Sequence, residues 1–437
     1  MISLPRRFMP DASAPKDSTP QHGAPGAPPE TDAGYWLFVG HVVAIFGIAL
    51  SNAFVGLMAI YVVAKRRRLD FRFAPHRALF LPAALFSIFF VVSALQSLDP
   101  GRSLGGLKDL LSMVTLLAAP FLVRGEKSVR RTVDLVLIMV VGSALVGIYQ
   151  YLFTPYGDLH SRIIGPFSHY QTFAGVLLIG TLVLIARLSV GDGWRRPTSW
   201  LALGIVVFTL FLTLTRGAWV AAAAGLLVLT LARTRRTVVA GIAAVALVAA
   251  WLAPASWTER VSSIVDVSDP SNYDRLCMLE AGLHMIEERP LFGIGPEMVK
   301  ERYPIYRHPT APRINVPHLH NALLQRAAEQ GLVGFATYLW MMGAAALLAW
   351  RGLRRAEAGE GNSADLYLAV LMVVVGFNVA SLFEDNWNDT EVRRLLLFLL
   401  AVPLCLRPRA PEGAPPDNRP EDRTDDAGPP APETPPA

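Results

Sequence analysis

Residues 35–64 read YWLFVGHVVAIFGIALSNAFVGLMAIYVVA, with no Lys, Arg, Asp or Glu, and Lys65-Arg66-Arg67-Arg68 follows at once. As one helix this run would measure about 45 Å against a hydrocarbon core of about 30 Å, too long for a single upright span. Ser51-Asn52, near its middle, suggests two short helices or a re-entrant pair with a break there. The pattern of an apolar run closed by cations then repeats along the chain. Runs of about 20 apolar residues mark spans at 78–97, 104–123, 132–152, 168–188, 198–214, 217–232, 237–255, 331–350, 365–383 and 391–407.

The connecting segments carry charge in alternation. Lys65 to Arg77, Arg124 to Arg131, Arg187 to Arg196, Arg233 to Arg236, Arg351 to Arg355 and Arg407 with Arg409 hold 21 of the 40 Lys and Arg residues. The positive-inside rule puts all of these in the cytoplasm. If the first run is two helices, the count is twelve and both tails are cytoplasmic. The expected fold is therefore all-α and polytopic, about twelve transmembrane helices with one large periplasmic loop containing short helices.

Composition agrees. Of 437 residues, 52% are hydrophobic and 17% charged, at a mean hydropathy of +0.38, against about 25% charged in soluble domains. A soluble enzyme is excluded. Two cysteines, Cys277 and Cys405, on opposite sides of the bilayer exclude a disulfide scaffold. The net charge of +5 sits in short clusters between spans, so it argues for no nucleic-acid partner; the partner it implies is the lipid bilayer. Residues 1–34 and 408–437 are rich in Pro, Gly and charge and are expected to be disordered cytoplasmic tails around a membrane domain at 35–407. The first apolar run begins too late and is too long for a cleavable signal peptide.

The outward connections are 98–103, 153–167, 213–217, 256–319 and 384–390. The fourth, Ser256–Leu319, is far longer than a connector needs, and elaborated loops carry function. It contains an amphipathic helix with Leu276, Leu279, Leu283 and Ile286 on one face, ended by Pro290. Gly293-Ile294-Gly295 lacks the third glycine of a dinucleotide loop and reads as the turn after that helix.

Several polar residues on this face need explaining. Arg216, in Thr213-Leu214-Thr215-Arg216-Gly217, stands at the outer end of two spans, either snorkelling to headgroups or binding an anion. Asn321 is a good N-cap, which puts His320 at a helix N-terminus, where the dipole disfavours imidazolium and favours a neutral base. Arg275 and Arg162, each alone a surface charge, form an anion clamp if they join Arg216. Glu384-Asp385-Asn386 and Asp389 either cap a polar hairpin or orient the arginines. His318 and His320 with His308 and Glu301 permit a metal, but the spacing matches no zinc signature, so no metal is expected.

His320-Asn321 followed after nine residues by Gly331-Leu332-Val333-Gly334 fits the pattern His-[Asn/Ser/Gln]-x9-Gly-x-x-Gly. With Thr215-Arg216-Gly217, with Arg289-Pro290-Leu291-Phe292-Gly293-Ile294-Gly295-Pro296 after a helix containing Arg275, and with Arg162-Ile163-Ile164-Gly165-Pro166-Phe167, the chain resembles one superfamily over roughly residues 35–407. That superfamily comprises O-antigen ligases, O-antigen polymerases and bacterial protein O-oligosaccharyltransferases. The chain departs from it at Ser168-His169-Tyr170-Gln171, where an Asn-containing turn is expected.

The resemblance implies a bacterial inner-membrane enzyme whose active site faces the periplasm. It implies transfer of a glycan from undecaprenyl diphosphate to an acceptor hydroxyl, as in O-antigen ligation to lipid A-core, without metal or cofactor. In that scheme His320 is the general base and Arg216, Arg275 and Arg162 hold the diphosphate. Asn321, His318, Glu384 and Asp385 support them. A polymerase, or a transferase acting on protein, shares the motifs. A polysaccharide or lipid transporter is the reading from another class, and would place ionisable residues at mid-membrane; here Lys108, Asp109 and Asp134 near span ends are the charges noted.

Overall fold

A computed structural model of the chain describes residues 32–44, 47–65, 76–157, 161–190, 195–231, 243 and 270–406. Among these residues the secondary structure is helical and contains no strand. In chain order the helices are α1 (Ala33–Val43), α2 (Ile48–Lys65), α3 (Arg77–Leu95), α4 (Pro100–Leu122), α5 (Gly125–Phe153), α6 (Tyr170–Ser189) and α7 (Pro197–Leu212). They continue with α8 (Arg216–Leu231), α9 (Pro270–Glu288), α10 (Val299–Tyr306), α11 (Ala322–Glu357), α12 (Ala364–Ala380) and α13 (Thr390–Cys405). Of the tails expected at 1–34 and 408–437 all but residues 32–34 lie outside the described residues, as do the span expected at 237–255, save residue 243, and the start of the long loop.

Among the described residues six helices, α2 to α6 and α11, are long and apolar enough to cross a bilayer, and α1, α7, α8 and α12 are shorter apolar helices. The chain is a helical membrane protein. Its perimeter carries exposed Ile60, Val63, Leu81, Ile88, Ile138, Leu152 and Leu201, the surface that hydrocarbon solvates at no cost. At the centre α6 is buried along almost its whole length and packs against α12, α8 and α7. Small residues let these backbones approach: Leu182 fills the space that a side chain at Gly225 or Gly376 would need, and Val140 does so at Gly180.

The structure corrects the sequence reading at several points. The first run is two helices, but the boundary falls between Val43 and Ile48, ahead of Ser51-Asn52. Ser51 and Asn52 lie inside α2, where they accept hydrogen bonds from Arg394 of α13. Helix α4 includes a 3-10 stretch, Gly106–Ser112. The spans also hold more charge than hydropathy suggests. Arg326, Glu329, Arg393 and Arg394 are buried, paired as Arg326–Glu329 (3.0 Å) and Arg393–Asp109 (2.9 Å). The face of α9 formed by Leu276, Leu279 and Leu283 is exposed, and Met278, Ala281 and Met285 are buried instead.

The span expected at 331–350 belongs to the longer α11, which is interrupted at Gly331 (φ 68°, ψ 179°). Interrupting a helix frees backbone donors and acceptors that hydrocarbon cannot satisfy. Residues 290–295 satisfy them. Ile294 and Gly295 N–H donate to the carbonyls of Ala328 (2.9 Å) and Glu329 (3.0 Å), and Leu332 N–H donates to Pro290 O (2.7 Å). A side chain at Gly331 would collide with the Leu291–Phe292 backbone, and one at Gly293 with the Glu329 carbonyl. The Gly-x-Gly stretch is thus the backbone partner of the broken helix. Around it Met278, Met285, Ile294, Met298, Tyr303, Val316 and Leu319 form a second, smaller core that folds the long loop onto the bundle.

Gly331→Ala should therefore destabilise the protein by about 2 kcal/mol or more, through a disfavoured positive φ and a backbone collision. Thermal unfolding of the detergent-solubilised chain measures this; an unchanged midpoint would show that the interruption can be healed.

Candidate active site

Three structural devices converge on one cavity. The first is the α7–α8 turn. Leu214 adopts φ 53° and Thr213 Oγ1 donates to Leu210 O (2.7 Å), so the chain reverses and α8 begins at Arg216. Gly217 then lets the 381–384 turn approach, since a Cβ there would lie 2.7 Å from Phe383 Cβ. Arg216 is 6% exposed, and its Nη2 donates to Asn272 Oδ1 at the start of α9 (3.0 Å).

The second device is the 161–169 segment. Gln150 pins it by accepting from the Ile164 and Gly165 N–H groups and donating to Gly165 O. Arg162 then stacks over the Tyr170 ring at 4.4 Å. The sequence departure at Ser168-His169-Tyr170-Gln171 has a local use: Tyr170 supports the arginine, and His169 Nδ1 caps α6 by accepting from Gln171 N–H (3.3 Å).

The third device is the start of α11. Asn321 Oδ1 accepts from Leu324 N–H (3.0 Å), the N-cap read from the sequence. Gln325 Oε1 accepts from Leu319 N–H (2.9 Å), and Ala322 N–H donates to Ser381 O (2.8 Å). Between these anchors His320 takes φ 49°, a conformation costly for a side chain with a Cβ and concentrated at functional sites.

His320, Arg216, Arg275, Arg162 and Glu384 all line the resulting cavity of about 260 Å³. His320 Nδ1 lies 2.9 Å from Glu384 Oε2 and 3.1 Å from Oε1. A carboxylate accepts, so Nδ1 carries the proton and Nε2 holds the lone pair. Glu384 is buried, which alone would raise its pKa; the hydrogen bond from His320, the nearby imidazoles and the Asp385 N–H (3.1 Å) outweigh this and hold it below the usual carboxylate range. His318 stacks beside His320, ring centroids 4.3 Å apart, and its Nδ1 accepts from the His320 N–H (3.3 Å). Burial lowers the His318 pKa, which disfavours its imidazolium form.

Asp385 lies elsewhere. Its carboxylate is buried 3.7 Å from Arg326 Nη2, away from the cavity, and burial raises its pKa. Arg326 also reaches Glu329 and Asn388 Oδ1 (3.4 Å), so this buried cluster ties the turn that carries Glu384 to the helix that follows His320. His308 and Glu301 are remote too: His308 bonds Thr310 and Glu301 pairs with Arg102.

Sequence reasoning missed Arg313 and Asp274. Arg313 Nε pairs with buried Asp274 Oδ2 (2.9 Å), and its Nη1 lies 3.5 Å from His320 Nε2. Asp274 adjoins Arg275 in sequence, but nothing there signals a partner 39 residues later. Four guanidiniums thus share the cavity with two carboxylates. Burial, reinforced by Arg216 and opposed by Glu384 and Tyr170, lowers the Arg275 pKa; Arg162 is lowered by burial and by the charges of Arg216 and Arg275. An anion entering this cavity relieves that repulsion.

Among the described residues, His318, His320 and Glu384 form a trio whose donor atoms, within 4.8 Å of one another, could hold a metal ion. Its chemistry fits a cation poorly: both Nδ1 atoms are engaged in hydrogen bonds and four guanidiniums face the same space.

Asp389, the N-cap residue of α13, is pushed up to about 8 by burial. Its folded pKa exceeds the unfolded value of about 3.9, so its charge opposes folding. Stability should fall as pH rises from about 4 to about 8 and then level off. Asp389→Asn should flatten that decline, as thermal midpoints across this range will show.

Residues 201–339 match the family model described as O-Antigen ligase, a stretch that takes in Arg216, Arg275, Arg313 and His320. No curated protein matches the chain. The match covers about a third of the chain and supports a likeness to the O-antigen ligase-like superfamily.

Proposed function

We propose that the protein is an inner-membrane ligase that moves a glycan from undecaprenyl diphosphate to a hydroxyl of an acceptor such as lipid A-core, on the periplasmic face and without a metal. The observation that carries this reading is the single cavity in which a guanidinium cluster meets a histidine whose Nδ1–H is held by a buried carboxylate.

A groove of about 310 Å³ adjoins that cavity and shares Arg275 and His320 with it. Leu276, Leu279, Leu319, Leu324, Leu382 and Phe383 give it an apolar lining. A donor with a diphosphate at one end and a polyprenyl chain at the other matches this juxtaposition. The exposed leucines of α9, unexpected on a buried amphipathic helix, suit contact with lipid.

The chemistry follows from charge and proton placement. The acceptor hydroxyl gives its proton to His320 Nε2 as its oxygen attacks the anomeric carbon. The bond from that carbon to the diphosphate oxygen breaks, and the electron pair leaves with undecaprenyl diphosphate. Arg216 and Arg275, with Arg162, stabilise the growing negative charge through paired N–H donors. Glu384 keeps the imidazole in the tautomer that can accept and stabilises the imidazolium that forms. Such base catalysis is worth about 10²–10⁴-fold, and direct displacement inverts the anomeric centre. The proton then passes from Nε2 to solvent.

A polymerase uses the same groups with a second lipid-linked glycan as acceptor. Deleting a ligase leaves free polymer without attached lipopolysaccharide, whereas deleting a polymerase leaves single repeat units.

His320→Ala should abolish transfer, by about 10²-fold or more, while the protein still inserts and binds donor. Arg216→Lys should lose most activity, because a point charge cannot replace the planar fork. Transfer to acceptor by purified variants, read beside donor binding, measures both; unimpaired His320→Ala would remove the base from the mechanism. Transfer should also survive EDTA, and loss that zinc or magnesium restores would assign the His318–His320–Glu384 trio to a metal.

A further inference from the structure

Asp274 and Arg313 have no role in the chemistry described above. Both line the catalytic cavity, and they pair with each other, Arg313 Nε lying 2.9 Å from Asp274 Oδ2. With that matched pair set aside, Arg162, Arg216 and Arg275 face Glu384, an excess of two positive charges. A diphosphate esterified at both ends carries one negative charge on each phosphate, so the donor matches this excess without Arg313. The fourth guanidinium needs another use.

Its position supplies one. Asp274 is 3% exposed and fixed on α9, whereas the Arg313 side chain is 50% exposed. Ala311 and Val316 are buried on either side of it and the residues between them are exposed, so the side chain can shift without disturbing the second core. Its Nη1 lies 3.5 Å from His320 Nε2. Glu384 holds the imidazole proton on Nδ1, so Nε2 is the acceptor and Nη1–H the donor, in a long and weak contact that a better partner can replace. The atom that must take a proton from the incoming hydroxyl is thus covered beforehand.

We propose that Arg313, anchored by Asp274, is a positioning residue that selects a sugar hydroxyl over water by covering His320 Nε2 until the acceptor binds. This inference rests on the ligase reading, in which Nε2 is the base. Water at Nε2 would give that atom its proton while its oxygen bonds to the anomeric carbon. The bond from that carbon to the diphosphate oxygen would break, releasing free glycan and undecaprenyl diphosphate. Water offers Nε2 one hydrogen bond in exchange for the one it removes, and gains little. A glycan acceptor binds through many contacts besides the reacting hydroxyl, and that binding energy displaces Nη1. Covering the base in this way suppresses a side reaction that an open site would permit.

The test uses the full chain, purified in detergent, with lipid-linked glycan as donor. Donor hydrolysis, read as released reducing glycan, and transfer to acceptor are measured side by side. Arg313→Ala should raise the ratio of hydrolysis to transfer roughly fivefold or more, the size of effect expected from one lost hydrogen bond. Asp274→Asn, which keeps the shape but loosens the anchor, should move the ratio in the same direction. Without donor or acceptor, carbethoxylation of His320 by diethylpyrocarbonate, followed by site-resolved mass spectrometry, should also run faster in Arg313→Ala. An unchanged ratio in Arg313→Ala, an equal fall in both reactions, or an unchanged carbethoxylation rate would overturn the proposal. Transfer that persists in His320→Ala defeats the ligase reading itself; an inactive His320→Ala beside an unchanged ratio in Arg313→Ala defeats only this inference.

Discussion

The exchange of backbone hydrogen bonds between the interrupted helix α11 and residues 290–295 is the constraint on which the site depends. A helix in hydrocarbon can be broken only where other protein supplies the missing donors and acceptors. Here the supplying strand of chain belongs to the long loop, so satisfying the break also docks the loop. Arg275 lies before the docked segment and His320 before the break. Both are thereby fixed against the α7–α8 turn that carries Arg216.

A buried ionic cluster completes the placement. Arg326, Glu329 and Asp385 are buried together beside the turn that carries Glu384, and Arg393 with Asp109 and Arg394 with Ser51 continue the polar contacts across α13. Ion pairs of this kind seldom add net stability, because desolvation offsets the Coulombic gain. What they add is position. The turn holding Glu384 cannot shift without stranding a charge in a low-dielectric interior, so the carboxylate stays within hydrogen-bond reach of His320. The strain at His320 (φ 49°) persists because both flanks are held: Asn321 caps the helix on one side and Gln325 holds Leu319 on the other.

The two ends of the bundle divide the electrostatic work. One end gathers Arg162, Arg216, Arg275 and Arg313 around two carboxylates and stays net positive, poised for an anion. The other sets Arg130, Arg187 and Arg196 against Asp365, Asp134 and Glu126, three charges of each sign. The first arrangement suits a ligand that must develop and release charge.

Much was legible in the chain itself. Apolar runs and charge alternation locate the helices because a bilayer penalises every exposed polar group, a constraint local enough to be written residue by residue. The N-cap at Asn321 is local as well, since its partner Leu324 lies one turn away. What the sequence could not convey was partnership over distance. The pairing of Asp274 with Arg313, the grip of Glu384 on His320 and the separation of Asp385 from its neighbour's cavity depend on which faces of distant helices meet. The meaning of Gly293-Ile294-Gly295 was hidden for the same reason: its partner is the backbone of a helix that begins more than 25 residues later. Hydropathy registers the cost of burying a group, whereas the compensation for that cost is a tertiary contact, visible only once the chain has folded.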